Sequence, residues 1–563
     1  MSLPVQPSPR KRRRDGTDNG PARKKRIALL AVAATVALIL VAVAALLFLP
    51  TRQNPSAAPS SAPAVSTPAP TPDKPLPPAP AVTYYKQAGP PAGSPLQGVE
   101  PLKLAVSGDQ VGTSLPTGLT GISLEATDLG DEDLSSSNPS MVKLLSELDQ
   151  PVLRFGGNAV DRRFFWTSSN ESIPAGYSGD AAHPVRAVGP ADLTRLNTLL
   201  QATGARVSLT VDLAHYDPAR AADMMKHATA ILGDRLLSFT VGNEPNGFVF
   251  NGVRKDGYSL EKYLTELKAY AKAIYAVAPN LPISGPGAYD QKWWQPFVDV
   301  DIPQKKILSF HHYPQYSCDG SDPIASPTLA NLMDRKIHDR AADYHRAAVD
   351  VGKKAGLETW LPETGIAACP GSNETSKTHA SALWTVDYAL NAAQLGITQV
   401  GFHSSMLACK GGPPMSAICS AGSYPQGNGA MSGRANFFGM SMLGGLGEGK
   451  FLKVNSTGGG LAYSYAVQHA DGSTSVVIVN ENNPETAAQT DVTIDLPGRP
   501  LTGTMSQLTG PSYGAQDATQ IDGAASEPVP LADRPTVPGF VYGERTQKIK
   551  LTAGTATVLN FTY

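Results

Sequence analysis

The chain has 563 residues, 41% of them apolar, and a formal net charge of −1, which exceeds a single small domain and offers nucleic acid no phosphate-neutralising surface. That near-neutrality conceals an asymmetry. Residues 1–26 carry nine basic side chains against Asp15 and Asp18, a net of +7, so the rest of the chain sums to −8.

The basic run 1–26 reads as a cytoplasmic tail, because it is followed at once by 23 uncharged apolar positions, Ile27 to Leu49. That length crosses a hydrocarbon core as one helix, and flanking Lys and Arg stay on the cytoplasmic side. Cleavage after an Ala in "NPSAAPSSAPA" is the alternative to a retained anchor. Residues 50–95 turn to Pro, Ala, Ser and Thr, a composition that favours extended polyproline geometry. About 30 such residues reach on the order of 90 Å at ~3.1 Å each, so the segment reads as a linker or stalk. The expected protein is single-pass, with its mass outside the cell.

Residues 96–118 contain strand-like "LKLAVSGDQVGTSLP", which is expected to join a later β domain. From 119 to 445, apolar runs alternate with amphipathic helical patterns, as in parallel strands joined by crossover helices. The strands are "GISLEA" from Gly121, "VLRFGGN" from Val152, "RVSLTVDL" from Arg206, "LLSFTVGNEP" from Leu236, "PISGPGAYD" from Pro282, "ILSFHHYP" from Ile307, "ETWLPETG" from Glu358 and "QVGFHSS" from Gln399. Helices are expected in "SLEKYLTELKAYAKAIYAVAP" and "THASALWTVDYALNAAQLG". Eight units are the count for a (β/α)8 TIM barrel, an α/β fold whose chemistry sits where the strands end. From 446 to 563 the pattern becomes alternating runs with turns between them, which reads as a C-terminal antiparallel β-sandwich.

The strand ends are polar all round the barrel: Arg154 and Asn158, Asp212 and His215, Asn243 and Glu244, Tyr289 and Asp290, His311, His312 and Tyr313, Glu363, and His403. The four cysteines, Cys318, Cys369, Cys409 and Cys419, allow three disulfide connectivities; no CxxC-like spacing or HExxH motif points to a metal. "LPETG" at 361–365 is also a wall-sorting signal, but that signal works only near a C-terminus ahead of an apolar tail.

Two carboxyl groups across a barrel mouth suit glycosidic-bond cleavage, one protonating the leaving oxygen while the other attacks the sugar carbon. Glu244 ends the fourth strand and Glu363 the seventh. Asn243 is placed to donate to a sugar hydroxyl, and Tyr313 to donate to Glu363 and hold it ionised.

"FTVGNEPNGF", "TWLPETG" and "VLRFGGNAVD" together resemble glycoside hydrolase family 79, the heparanase and β-glucuronidase group in the large clan of retaining (β/α)8 glycosidases. The likeness runs from about Gly121 to Ser405. It implies Glu244 as acid/base, Glu363 as nucleophile, a glycoside or polysaccharide substrate and no cofactor. The clan often closes the sugar site with a Trp after strand eight; here "GFHSSMLACKGG" offers His403. Arg154, Asn158, Asp212, His215, His312 and His403 are the further substrate-binding candidates. A Cys409–Cys419 bridge in the loop after strand eight, and a Cys318–Cys369 bridge joining the loops of strands six and seven, are the expected pairings. Uronic-acid-terminated glycans are the first substrate expectation. An envelope arabinan or galactan comes second, and a catalytically silent carbohydrate-binding protein third.

Overall fold

The computed structural model describes residues 76–87, 95–369, 373–523 and 533–563. The basic tail, the apolar span and the first part of the linker lie outside them. Among the described residues no helix is long and apolar enough to cross a membrane.

Eight parallel strands close into a barrel: Thr120–Glu125, Val152–Gly156, Arg206–Val211, Leu236–Val241, Ile283–Ala288, Lys305–His312, Glu358–Thr364 and Ile397–His403. The eighth closes on the first, with Val400 opposite Thr120 and His403 opposite Ser123. All eight apolar runs marked in the sequence are barrel strands. Their alternation explains the closure: Val207, Leu209 and Val211 are buried in the main core, while the intervening Ser208 bonds Ser238 of the next strand, Oγ to Oγ, at 2.8 Å. Apolar positions face the helices, and small polar ones fill the lumen.

Local signals set the crossover helices. Asn138 and Asp217 cap Pro139–Ser146 and Pro218–Leu232, each with Pro at the first turn, and Ser259 caps Leu260–Tyr275. His379–Leu395 is buried along almost its whole length because one side packs on the barrel and the other on the second sheet. That explains its weak amphipathic pattern.

The second module departs from the expected antiparallel sandwich. Nine strands form one continuous sheet in the order Gln520–Ile521, Thr502–Thr509, Thr555–Thr562, Thr474–Asn480, Ala462–Gln468, Gly449–Thr457, Leu102–Leu115, Thr490–Asp495, Thr546–Leu551. The long strand Leu102–Leu115 is the reason. It pairs antiparallel with Gly449–Thr457 and parallel with Thr490–Asp495, so it joins two halves that would otherwise be separate sheets. The sheet curls, and Leu102, Leu104, Val492, Ile494, Met505 and Phe561 meet in one small core. On the opposite face Tyr463, Tyr465, Val477 and Val479 belong to the barrel's core. Strand Thr474–Asn480, covered on both faces, is buried throughout.

Residues 76–87, read from composition as linker, lie along this sheet. Tyr85 N donates to Thr536 O at 2.7 Å, and Thr536 N to Thr83 O at 2.8 Å.

Candidate active site

Strand four ends on an unusual backbone. Gly242 has φ 75° and Glu244 φ 50°, ψ 55°, the left-handed region in a non-glycine residue. Such a residue costs about 1–3 kcal/mol and persists only where its surroundings hold it. They do so here. Asn243 N donates to Asp161 Oδ2 at 2.7 Å, Glu244 N to Gly287 O at 3.1 Å, and Gly247 N back to Glu244 O at 2.8 Å, with Pro245 starting the turn. The Asn-Glu-Pro run is thus a sharp exit that turns the Glu244 side chain toward the lumen mouth.

Strand two supplies Arg154, only 3% exposed. Its Nη1 donates to Glu363 Oε2 at 2.5 Å and to Ser123 Oγ at 3.1 Å, and its Nη2 to Asn243 Oδ1 at 2.6 Å. The guanidinium therefore ties strands one, two, four and seven together. The two glycines that follow make room for it. A Cβ at Gly156 would lie 2.3 Å from Arg154 Cζ, and one at Gly157 2.6 Å from the Glu125 carboxyl carbon.

Strand six contributes His311, whose Nδ1 lies 2.9 Å from Glu244 Oε1 and 3.8 Å from Glu363 Oε2. Tyr313 OH donates to Glu363 Oε1 at 3.0 Å. Burial alone would push the Glu363 carboxyl up, but His311, His403 and Arg154 outweigh it and hold Glu363 well below the usual carboxylate range. Burial, with the adjacent Glu363 and Glu244 charges, keeps the Tyr313 hydroxyl protonated as a donor.

One oxygen of Glu244, one oxygen of Glu363 and a His311 nitrogen all lie within 4.8 Å of one another. Such a trio also has the spacing of a metal site. Here, however, the Arg154 guanidinium already occupies Glu363 Oε2, and its fixed charge opposes a cation at that oxygen.

The remaining expected residues separate into groups. His403 is buried at the end of strand eight, its Nε2 3.7 Å from Glu125 Oε1. Burial works against its charged form, but Glu363 and Glu125 raise its pKa on balance. Asp212 and His215 bond each other at 2.5 Å, and the imidazole stacks on Tyr177 with ring centroids 3.8 Å apart. Asn158 is exposed on the turn after strand two, apart from the Arg154 cluster. His312 is a correction. It faces outward, with Nδ1 2.8 Å from Tyr388 OH and its ring stacked on Tyr344 at 4.5 Å, and burial lowers its pKa to about 3. Period-two alternation is the cause: Ser309 and His311 share the lumen face, while Phe310 and His312 share the helix face.

His311 itself and Glu125 are the site residues that sequence reasoning left unassigned. The same alternation in "LSFHH" singles out His311. Asp161 accepts from the backbone N–H of Leu213, Ala214 and Asn243. Burial and the neighbouring Asp212 push its carboxyl up to about 7, against the pull of those donors. Trp293 and Trp294 pack in the core rather than on a sugar face, Trp294 against Phe310 and Tyr344.

The loop after strand eight forms a small sheet, Ala408–Lys410, Ile418–Ser423 and Gln426–Gly433. The Cys409–Cys419 disulfide closes it, and Arg434 clamps it by donating to Pro413 O and Cys409 O, both at 2.6 Å. Cys318–Cys369 joins the loops after strands six and seven.

Residues 191–390, which span strands three to seven and hold both Glu244 and Glu363, match the model of the Glycosyl hydrolase family 79, N-terminal domain. The fold is similar to a 4-O-α-L-rhamnosyl-β-D-glucuronidase from Fusarium oxysporum 12S, with TM-score 0.60 and 17% identity, covering 81% of this chain and 99% of that one. It is similar too to a GH51 arabinofuranosidase from Xanthomonas axonopodis pv. citri, with TM-score 0.59, 14% identity and coverage of 82% and 100%. An α-L-arabinofuranosidase from Thermotoga maritima gives 0.58, 12%, 82% and 99%. At these identities the likeness is one of fold. The curated proteins give no match.

Proposed function

We propose that this chain, a glycoside hydrolase carrying the family 79 N-terminal domain over residues 191–390, is a retaining β-glycosidase in which Glu363 is the nucleophile and Glu244 the acid/base. One observation carries the reading. Facing oxygens of the two carboxyl groups lie within 4.8 Å of each other. That closeness supports direct attack, for which the groups sit about 5–5.5 Å apart, over the wider gap of about 6.5–9.5 Å that holds the water of an inverting enzyme.

In the first step a Glu363 oxygen bonds to the anomeric carbon, the bond to the leaving oxygen breaks, and Glu244 delivers its proton there. The second step reverses the roles. Glu244 takes a proton from water, whose oxygen attacks the anomeric carbon, and Glu363 departs as a carboxylate. Arg154, Tyr313 and His311 favour the ionised form of Glu363 that both steps use. His311 also fixes the Glu244 carboxyl by its 2.9 Å contact.

A glucuronide is the substrate class we assign. The family match and the glucuronidase of similar fold support it. The 23-residue apolar run after the basic tail supports a membrane-tethered protein with its catalytic part outside the cell.

The test is hydrolysis of an aryl β-D-glucuronide by the full chain, with Glu363→Gln alongside. Turnover that disappears in the variant supports both mechanism and sugar. Cleavage of aryl α-L-arabinofuranosides in place of glucuronides, again lost in Glu363→Gln, would keep the mechanism and move the substrate to an envelope arabinan.

A further inference from the structure

We infer that Tyr388, on the helix between strands seven and eight, is a positioning residue for the active site. Its hydroxyl holds the ends of strands six and seven in the register that sets the Glu244, His311 and Glu363 geometry. The residue touches neither carboxylate and acts only through its neighbours.

The hydroxyl meets three side chains from three elements. Tyr388 OH lies 2.8 Å from His312 Nδ1 on strand six, 3.0 Å from His345 Nε2 on the preceding helix, and 3.2 Å from Thr364 Oγ1 on strand seven. Thr364 Oγ1 also donates to His312 O at 2.6 Å, which closes the link between the two strands. His312 stands between His311 and Tyr313, and Thr364 directly follows Glu363. Two members of the knot, His312 and Thr364, are thus chain neighbours of groups in the carboxylate cluster.

The knot is also chemically stiff. Tyr388 and His345 are buried, with the Trp384 ring packed on Tyr388, Phe310 on His345, and Tyr344 stacked on His312. Burial keeps both imidazoles uncharged, so each has one N–H and one lone pair, and the single hydroxyl satisfies a nitrogen of each. Removing it leaves two buried ring nitrogens short of a partner, and side chains in that position shift to find one.

The inference rests on the two-carboxylate reading, and the test separates them. The full chain is compared as wild type, Tyr388→Phe, Thr364→Val, Leu383→Val and Glu363→Gln, on whichever aryl glycoside the wild type cleaves. The groups facing Glu363 are Arg154, His311, Tyr313, His403 and Glu244. If the first four draw away, its pKa rises and the acid limb of kcat/KM moves to higher pH. We expect both hydroxyl deletions to lower kcat about tenfold and to shift that limb upward by at least half a pH unit. The double variant should be little worse than either single one. Leu383→Val, a core change in the same helix, should lower Tm with the limb unmoved. A Tyr388→Phe or Thr364→Val profile that superimposes on the wild type, whatever its Tm, overturns the inference while leaving the mechanism intact. Wild-type turnover in Glu363→Gln would overturn both.

Discussion

Glu363 shows how a buried acid is kept charged. It gains Arg154, His311, His403 and the Tyr313 hydroxyl, and these outweigh the burial that would protonate it. Its folded pKa is depressed, so the stability it contributes is fully present above the ordinary carboxylate range and is lost as pH falls through the folded value. Activity should follow the same sign, with an acid limb well below pH 4. Arg154→Met removes the shortest of these bonds. It should cut kcat by about 100-fold or more and move the acid limb of the pH–rate profile upward, readable by initial rates across pH. Gly156→Ala reaches the same end by steric means, because the new Cβ falls on the guanidinium. It should reproduce the Arg154→Met phenotype, and a normal kcat would show that the guanidinium has somewhere else to go. Legibility at this scale was uneven. Glu244 and Glu363 stand out because each ends an apolar strand. His311 and His312 are told apart only by strand alternation, and Glu125 is found only by three-dimensional contact.

Among the elements, the helix His379–Leu395 does two jobs. Asp387 faces the second sheet, accepting from Tyr465 OH at 2.6 Å and meeting His338 Nδ1 at 2.6 Å, while Tyr388 faces the barrel. Burial works against charge on His338, but Asp387 prevails and raises its pKa. Its stabilising contribution is therefore present below its ordinary value and is lost as pH rises through the raised one. Nearby Glu481 has its pKa raised well above 4.5, by burial first and Asp387 second. Unfolded it ionises above about 4.5 and folded it does not, so stability falls further as pH rises. Both terms have one sign. The buried neutral His312 and His345 act in the opposite sense, so the test is a difference: the Tm of Glu481→Gln minus that of the wild type should grow from pH 5 to pH 8, and a difference that does not change with pH would contradict the assignment. The small sheet after strand eight is a second separable element. Double Cys409→Ser, Cys419→Ser should raise KM more than it lowers kcat, since the bridge ties the mouth and touches neither carboxylate. The barrel strands were legible because parallel strands buried on both faces read as apolar runs. The small sheet after strand eight was not, because it is held by a disulfide, Arg434 and glycine turns rather than by hydrophobic pattern.

For the molecule as a whole, the barrel and the curled sheet share one core, since Tyr463, Tyr465 and Val477 of the sheet belong to the barrel's cluster. The long strand Leu102–Leu115 enters the sheet before the barrel begins, so the module encloses the barrel in sequence as well as packing against it. This is also why its topology was illegible. Alternation reveals strands but not which of them pair across more than 300 residues, and a parallel pair between Leu102–Leu115 and Thr490–Asp495 leaves no local trace. The barrel by contrast follows from order alone, each strand lying beside its predecessor.

The central claim is direct attack by Glu363 with retention at the anomeric carbon, and the stereochemistry of the first-formed sugar tests it most directly. Proton NMR of the hemiacetal released from an aryl β-glycoside, recorded before mutarotation, should show the β anomer first and the α anomer only later. An α anomer appearing first would mean that water attacks directly across the site, and the double-displacement account would be wrong.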